Sequence, residues 1–174
     1  MSMSCLLALT LVAVLVATQA VAQALPKPEE VVQLRATPTE FTLSPTGTAT
    51  LKLIAEIRPG FHINSNKPLQ EYLIPTEVFL PETFELAEVN YPPALLKRFP
   101  FAPDEDVAVF AGTLQINLRL RAVHARSGRY RLKITLRYQA CNDRICLRPA
   151  LRTVEVSVNV GASNKPHQRN PKAS

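Results

Sequence analysis

The sequence predicts an all-β protein, an antiparallel sandwich of roughly eight or nine short strands. Three observations lead there. Apolar and polar residues alternate with period two over several segments, the pattern of a strand with one dry and one wet face. No segment carries a sustained apolar stripe at helical spacing. Fifteen prolines are spread along the chain and punctuate many of its loops. A closed barrel has less support, and no internal repeat is visible.

In chain order, the first strands are expected at Val31–Thr37 and Glu40–Leu43. In "TLKLIAEI", Leu51, Leu53, Ala55 and Ile57 share one side. Shorter strands follow at Pro75–Leu80, Thr83–Val89 and Val107–Phe110, with one helical turn expected in "PPALLKRF" between the last two. In "TLQINLRLR", Leu114, Ile116, Leu118 and Leu120 alternate with Gln115, Asn117, Arg119 and Arg121. Ser127-Gly128 is a turn signal, after which Tyr130, Leu132, Ile134, Leu136 and Tyr138 alternate with polar residues. Val154, Val156, Val158 and Val160 close the series.

The ends of the chain read differently. Cys5 to Ala24 is apolar and uncharged, and its unbroken core is too short for a membrane span. It ends in small residues that fit an A-x-A cleavage site. Residues 1–24 are therefore expected to be a secretory signal peptide cut after Ala24. The n-region "MSMS" has no Lys or Arg, which leaves an uncleaved anchor as the alternative. Cys5 stands at the start of the apolar run, not after it, which argues against a lipoprotein. Residues 25–160 form the expected domain, long enough for a real core. Residues 161–174 are almost devoid of apolar side chains and hold Lys165, Arg169 and Lys172 without an acid, the composition of a disordered basic tail. Without those three cations the formal net charge of +6 becomes +3. No dense Lys/Arg block with interleaved aromatics is present, so a nucleic-acid partner is not expected. Nor does any later segment reach the length of a spanning helix. The chain is expected to be periplasmic or secreted.

Of three cysteines, Cys5 lies in the signal segment, leaving Cys141 and Cys146. An even pair in an exported protein points to a disulfide. Two readings stand. As a static staple, the bond closes a short loop and removes about 2 kcal/mol of chain entropy. As a reactive pair, it sits in a loop near Arg137, Arg144 and Arg148, opposed locally by Asp143. Cations favour the thiolate, which is the attacking species in exchange. Asn142, Asp143 and Pro149 are turn formers able to hold the loop. C-x4-C does not decide between the two. A metal site is not expected, because His62, His124 and His167 are scattered without zinc-ligand spacing.

The stretch "YQACNDRICLRPA" resembles the signature of the N-terminal periplasmic domain of the thiol:disulfide interchange protein DsbD, through Tyr138, Gln139, Cys141, Asp143, Cys146 and Pro149. "RPGFHINSNKPLQEYLIPTEVFL" resembles the segment that follows an early strand in that family. The resemblance covers roughly the whole body of the chain. It implies an immunoglobulin-like sandwich acting as a protein thiol–disulfide oxidoreductase, an electron relay with no cofactor. Cys146 would attack the partner and Cys141 would resolve the mixed disulfide. Electrons would come from a thioredoxin-like protein or a membrane thiol reductase. They would pass to a periplasmic disulfide isomerase or a cytochrome c maturation thioredoxin. A cap loop shields the pair in such proteins; its counterpart by chain order is "RFPFAPDED", with Phe99 or Phe101 over the sulfurs and His62 nearby.

Three departures stand out. Arg148 occupies the place of a proline and, with Arg144 and Asp143, is expected to tune the thiolate. His62 and Asn64 stand where other members place aromatics. The chain is also expected to stand without the membrane and thioredoxin-like domains, its reductant being a separate protein. The contrasting expectation is a non-catalytic immunoglobulin-like binding module with a static hairpin disulfide.

Overall fold

The computed structural model describes residues 25–100 and 102–162. The expected signal segment, most of the expected basic tail, Phe101 and His167 lie outside them. After one 3-10 turn at Pro28–Glu30 come twelve strands among the described residues: β1 (Val32–Thr37), β2 (Glu40–Leu43), β3 (Thr48–Ile57), β4 (His62–Asn64), β5 (Glu77–Phe79), β6 (Phe84–Asn90), β7 (Leu95–Phe99), β8 (Ala102–Phe110), β9 (Thr113–Ala122), β10 (Gly128–Tyr138), β11 (Ala140–Cys141) and β12 (Ala150–Val160).

They form three four-stranded sheets, ordered β1-β3-β9-β6, β2-β12-β10-β5 and β11-β4-β8-β7. Every pairing is antiparallel except β2 with β12. The first two sheets make the immunoglobulin-like antiparallel β-sandwich. Its core is the set of residues the alternation marks: Leu51, Leu53, Leu114, Ile116, Leu118 and Leu120 from one sheet, with Leu132, Ile134, Leu136, Val156 and Val158 from the other. Each is nearly inaccessible, and burying such a side chain stabilises by roughly 1.5–3 kcal/mol. The polar partners on β9 and β10 face water, where Arg121 meets Glu85 at 2.7 Å and Arg119 meets Glu88 at 2.7 Å. Tyr138 ends β10 fully buried, and its hydroxyl donates to the Pro28 carbonyl at 2.8 Å, pinning the N-terminal turn to the sandwich.

The third sheet positions the cysteines. Its strands are offshoots of the sandwich strands. β3 turns through Gly60 (φ 82°) into β4, and β8 turns through Gly112 (φ 68°) into β9. Both turns need the left-handed backbone that glycine adopts without steric cost. β11 follows directly on β10.

Two differences from the sequence reading concern this sheet. "PPALLKRF" is not a helical turn: Leu95–Phe99 is the edge strand β7, paired with β8. It lies on the rim, so four of its five residues are exposed and no alternation marks it. Strand β8 also begins at Ala102, well before the expected Val107: Ala102 pairs with Phe99 across a register irregularity, and the exposed residues 103–106 that follow carry no alternation.

Candidate functional site

The long connection between β10 and β12 carries both cysteines. The two strands run together from Gly128 opposite Val160 to Tyr138 opposite Ala150. Between them the chain leaves the sandwich, and β11 pairs with β4, placing Ala140 opposite Ile63 and Cys141 opposite His62. The loop then folds back on itself. The Asn142 amide donates to the Ile145 carbonyl at 2.9 Å, and the Leu147 amide donates to the Ala140 carbonyl at 2.8 Å. Asn142 Oδ1 accepts the amides of Arg144 and Ile145, both at 2.9 Å. This is how asparagine shapes a turn. Cys141 and Cys146 are joined by a disulfide across the turn.

The two sulfur-bearing residues have unequal surroundings. Cys141 is 1% exposed, whereas Cys146 belongs to the exposed run Asp143–Cys146. An incoming thiolate therefore has access to one side of the bond. Arg144 and Arg148 are also exposed on this loop. Arg137 is not one of its cations: β10 sets it opposite Glu77 on β5, where it forms an ion pair and lies over the Phe79 ring at 5.5 Å.

A buried polar network fixes the loop from below. Asn64 is 1% exposed; its Nδ2 donates to the Ile74 carbonyl at 2.9 Å and to Gln139 Oε1 at 3.3 Å. Gln139 Nε2 in turn donates to the carbonyl of Leu147, next to Cys146. Thr76, also buried, donates its hydroxyl to the Asn64 carbonyl at 2.6 Å. Asn64→Ala leaves the Ile74 carbonyl and the Gln139 oxygen without this donor, at about 1–3 kcal/mol per orphaned group. The expected result is a variant destabilised by about 2 kcal/mol in chemical denaturation, with faster amide exchange at Leu147 than in wild type.

His62 and Phe99 form the flank. His62 is 5% exposed, and its ring stacks on that of Phe99 with centroids 4.2 Å apart and planes 19° apart. Phe99 packs in a small cluster with Leu73, Val107 and Val109. The Phe99 ring thus lies against the residue directly opposite Cys141. A groove of about 380 Å³ opens here, its lining including Arg58, Phe61, His62, Lys97, Phe99 and Asp143. Burial pushes the His62 imidazole down to about 4, Lys97 adds to that, and Asp143 opposes it. His62 Nε2 is enclosed and has no hydrogen-bond partner among the described residues. His124 is exposed in the loop just after β9. Among the described residues no three metal-ligating side chains gather, and no helix is long and apolar enough to cross a membrane.

The sequence marks Gln139 as part of the cysteine signature and Asn64 as a departure within "FHIN", but not the hydrogen bond that joins them. The pairing of β11 with β4, which brings these two segments together, leaves no period-two signal in so short a strand.

A sandwich that displays one disulfide on a braced hairpin loop, with one sulfur side open and the other enclosed, defines a disulfide-bearing immunoglobulin-like domain. The chain belongs to the DsbD N-terminal domain family: residues 22–158 match the model of the thiol:disulfide interchange protein DsbD, N-terminal. Among solved structures it is similar to the N-terminal periplasmic domain of ScsB from Proteus mirabilis, with 17% identity, a TM-score of 0.52, and coverage of 78% of this chain and 49% of that one. The chain thus spans about half of that protein's described length. It is also similar to the Neisseria meningitidis DsbD N-terminal domain in the reduced form, with 17% identity, a TM-score of 0.46, and coverage of 78% and 91%. No curated protein sequence matched.

Proposed function

We propose that the protein is a periplasmic electron relay that passes reducing equivalents through the Cys141–Cys146 pair to partner proteins. Membership of a thiol–disulfide interchange family supports the reaction class. The observation that carries the assignment of roles is the unequal exposure of the two cysteines. A donor thiolate attacks Cys146 Sγ, the intramolecular bond breaks, and Cys141 leaves with the electron pair. The donor's second thiol then displaces Cys146 and leaves the pair reduced. In the outward half-reaction the Cys146 thiolate attacks an acceptor disulfide. Cys141 then displaces the acceptor sulfur and restores the internal bond. Two electrons and two protons pass in each cycle, and no cofactor takes part.

The donor is a thioredoxin-like protein or a membrane thiol reductase, and the acceptor is a periplasmic disulfide isomerase or a cytochrome c maturation thioredoxin. Residues 1–24 serve as the export signal, residues 25–160 are the relay domain, and residues 161–174 are a basic tail. Arg144 and Arg148 on the exposed loop favour the Cys146 thiolate, while Phe99, stacked on the residue opposite Cys141, helps to shield the pair. A test is incubation of the oxidised protein with a reduced thioredoxin-like dithiol, followed by acid quench and mass-labelling of free thiols. The relay predicts two labels per chain within the assay; a chain that stays unlabelled contradicts it.

A further inference from the structure

We propose that His62 is the proton acceptor for Cys141 when that thiol resolves a mixed disulfide held on Cys146. This rests on the exchange reading above and assigns a task that the two cysteines cannot perform themselves. Cys141 is enclosed, and a thiol among apolar neighbours holds its proton more tightly than one in water. Only the thiolate attacks a disulfide. The resolving step therefore needs a base that is already inside.

The geometry provides one. His62 and Cys141 are directly opposite in the antiparallel β4–β11 pair. Residues so placed project to the same face, with Cβ atoms about 4.5–5.5 Å apart. The His62 ring is held in place by the Phe99 stack at 4.2 Å. Its Nε2 is buried without a partner among the described residues. A buried nitrogen left unpaired is costly, so a new donor beside it is favoured. Reduction of the disulfide creates a donor, the Cys141 S–H, on the facing residue. With the ring proton on Nδ1, the Nε2 lone pair is open to accept it.

The charged groups around the ring keep it in the accepting form. Lys97 on β7, Arg58 on the turn before β4 and Asp143 on the cysteine loop all line the groove. Burial and Lys97 outweigh Asp143 and leave the imidazole neutral at ordinary pH, so it holds a proton only transiently, while the Cys141 thiolate charge stands beside it. In the step itself the S–H proton passes to Nε2 as Cys141 Sγ attacks Cys146 Sγ. The Cys141–Cys146 bond forms and the Cys146–partner bond breaks. The partner's sulfur leaves with the electron pair as a thiolate, and the proton follows to it or to water. Once the thiolate charge has gone, burial and Lys97 expel the proton from the imidazolium against the weaker pull of Asp143.

The test uses the reduced full chain and a chromogenic aryl disulfide. One coloured thiolate is released when Cys146 attacks, and a second when Cys141 resolves. His62→Phe keeps an aromatic ring against Phe99 without a base, and His62→Gln keeps a polar group of similar reach. Both are expected to slow the second release several-fold more than the first at neutral pH, so that the ratio of the two rates falls. Their second-release rate should also climb about tenfold per pH unit, as for a thiol ionised by hydroxide, while wild type climbs less steeply. A second release at the wild-type rate, with the wild-type pH profile, in either folded variant overturns the inference and leaves the relay standing. A wild-type disulfide that a thioredoxin-like dithiol never opens overturns the relay itself, and the inference with it.

Discussion

Cys141→Ser is expected to accumulate a covalent complex with a thioredoxin-like partner, while Cys146→Ser accumulates none. The asymmetry follows from access. In Cys141→Ser the surviving thiol is on the exposed loop and can reach a partner's disulfide, but nothing remains to displace that partner. The mixed disulfide then persists until an external thiol arrives. In Cys146→Ser the surviving thiol is 1% exposed and lies behind the turn, where an incoming sulfur cannot align with it. Non-reducing electrophoresis after mixing each variant with an oxidised thioredoxin-like protein reads the difference directly. A complex formed by Cys146→Ser alone would reverse the two roles.

Phe99→Ala is expected to lose about 3 kcal/mol of stability, the scale for emptying a buried phenylalanine site. Phe99 is 5% exposed and holds together the cluster of Leu73, Val107 and Val109 under the third sheet. It also supplies one face of the His62 environment. Removing it admits water to the imidazole, whose pKa should rise from about 4 toward the ordinary value of 6.5. The folded-state pKa of His62 is depressed, so the unfolded chain binds the extra proton first as pH falls. Wild-type stability from this group is present above 6.5 and is lost as pH falls to about 4. Phe99→Ala should flatten that dependence. Denaturation midpoints measured across this pH window test both parts. Unchanged stability would mean that the hairpin tip does not pack as described, and an unchanged pH slope would mean that Phe99 does not shield His62.

The sandwich could be read from the chain because its strands have one wet face. Leu114 to Leu120 and Leu132 to Tyr138 alternate without interruption, and all of these apolar residues are buried. The site was less legible for a physical reason. Its strands are two to five residues long where they meet the cysteines, too short for a period to show. All three residues of β4 are buried, so His62-Ile63-Asn64 does not alternate. β7 is exposed at four of five positions and reads as a loop or a helical turn. Arg137 looked like a neighbour of the cysteines by sequence distance, but the pleat of β10 sends it to Glu77. Cys141, Cys146 and the turn role of Asn142 were visible because they depend on local chemistry. The facing of Cys141 and His62 was not, because it joins segments about 80 residues apart through a strand pairing that no local signal encodes.

The central claim is that the Cys141–Cys146 bond opens and closes as the protein works. Its reduction potential, measured by equilibration against thioredoxin-like or glutathione couples, tests this most directly. The relay predicts a value between about −120 and −270 mV, the range of shuttling pairs. A value below about −300 mV, where structural disulfides lie, would contradict it and leave a static hairpin staple.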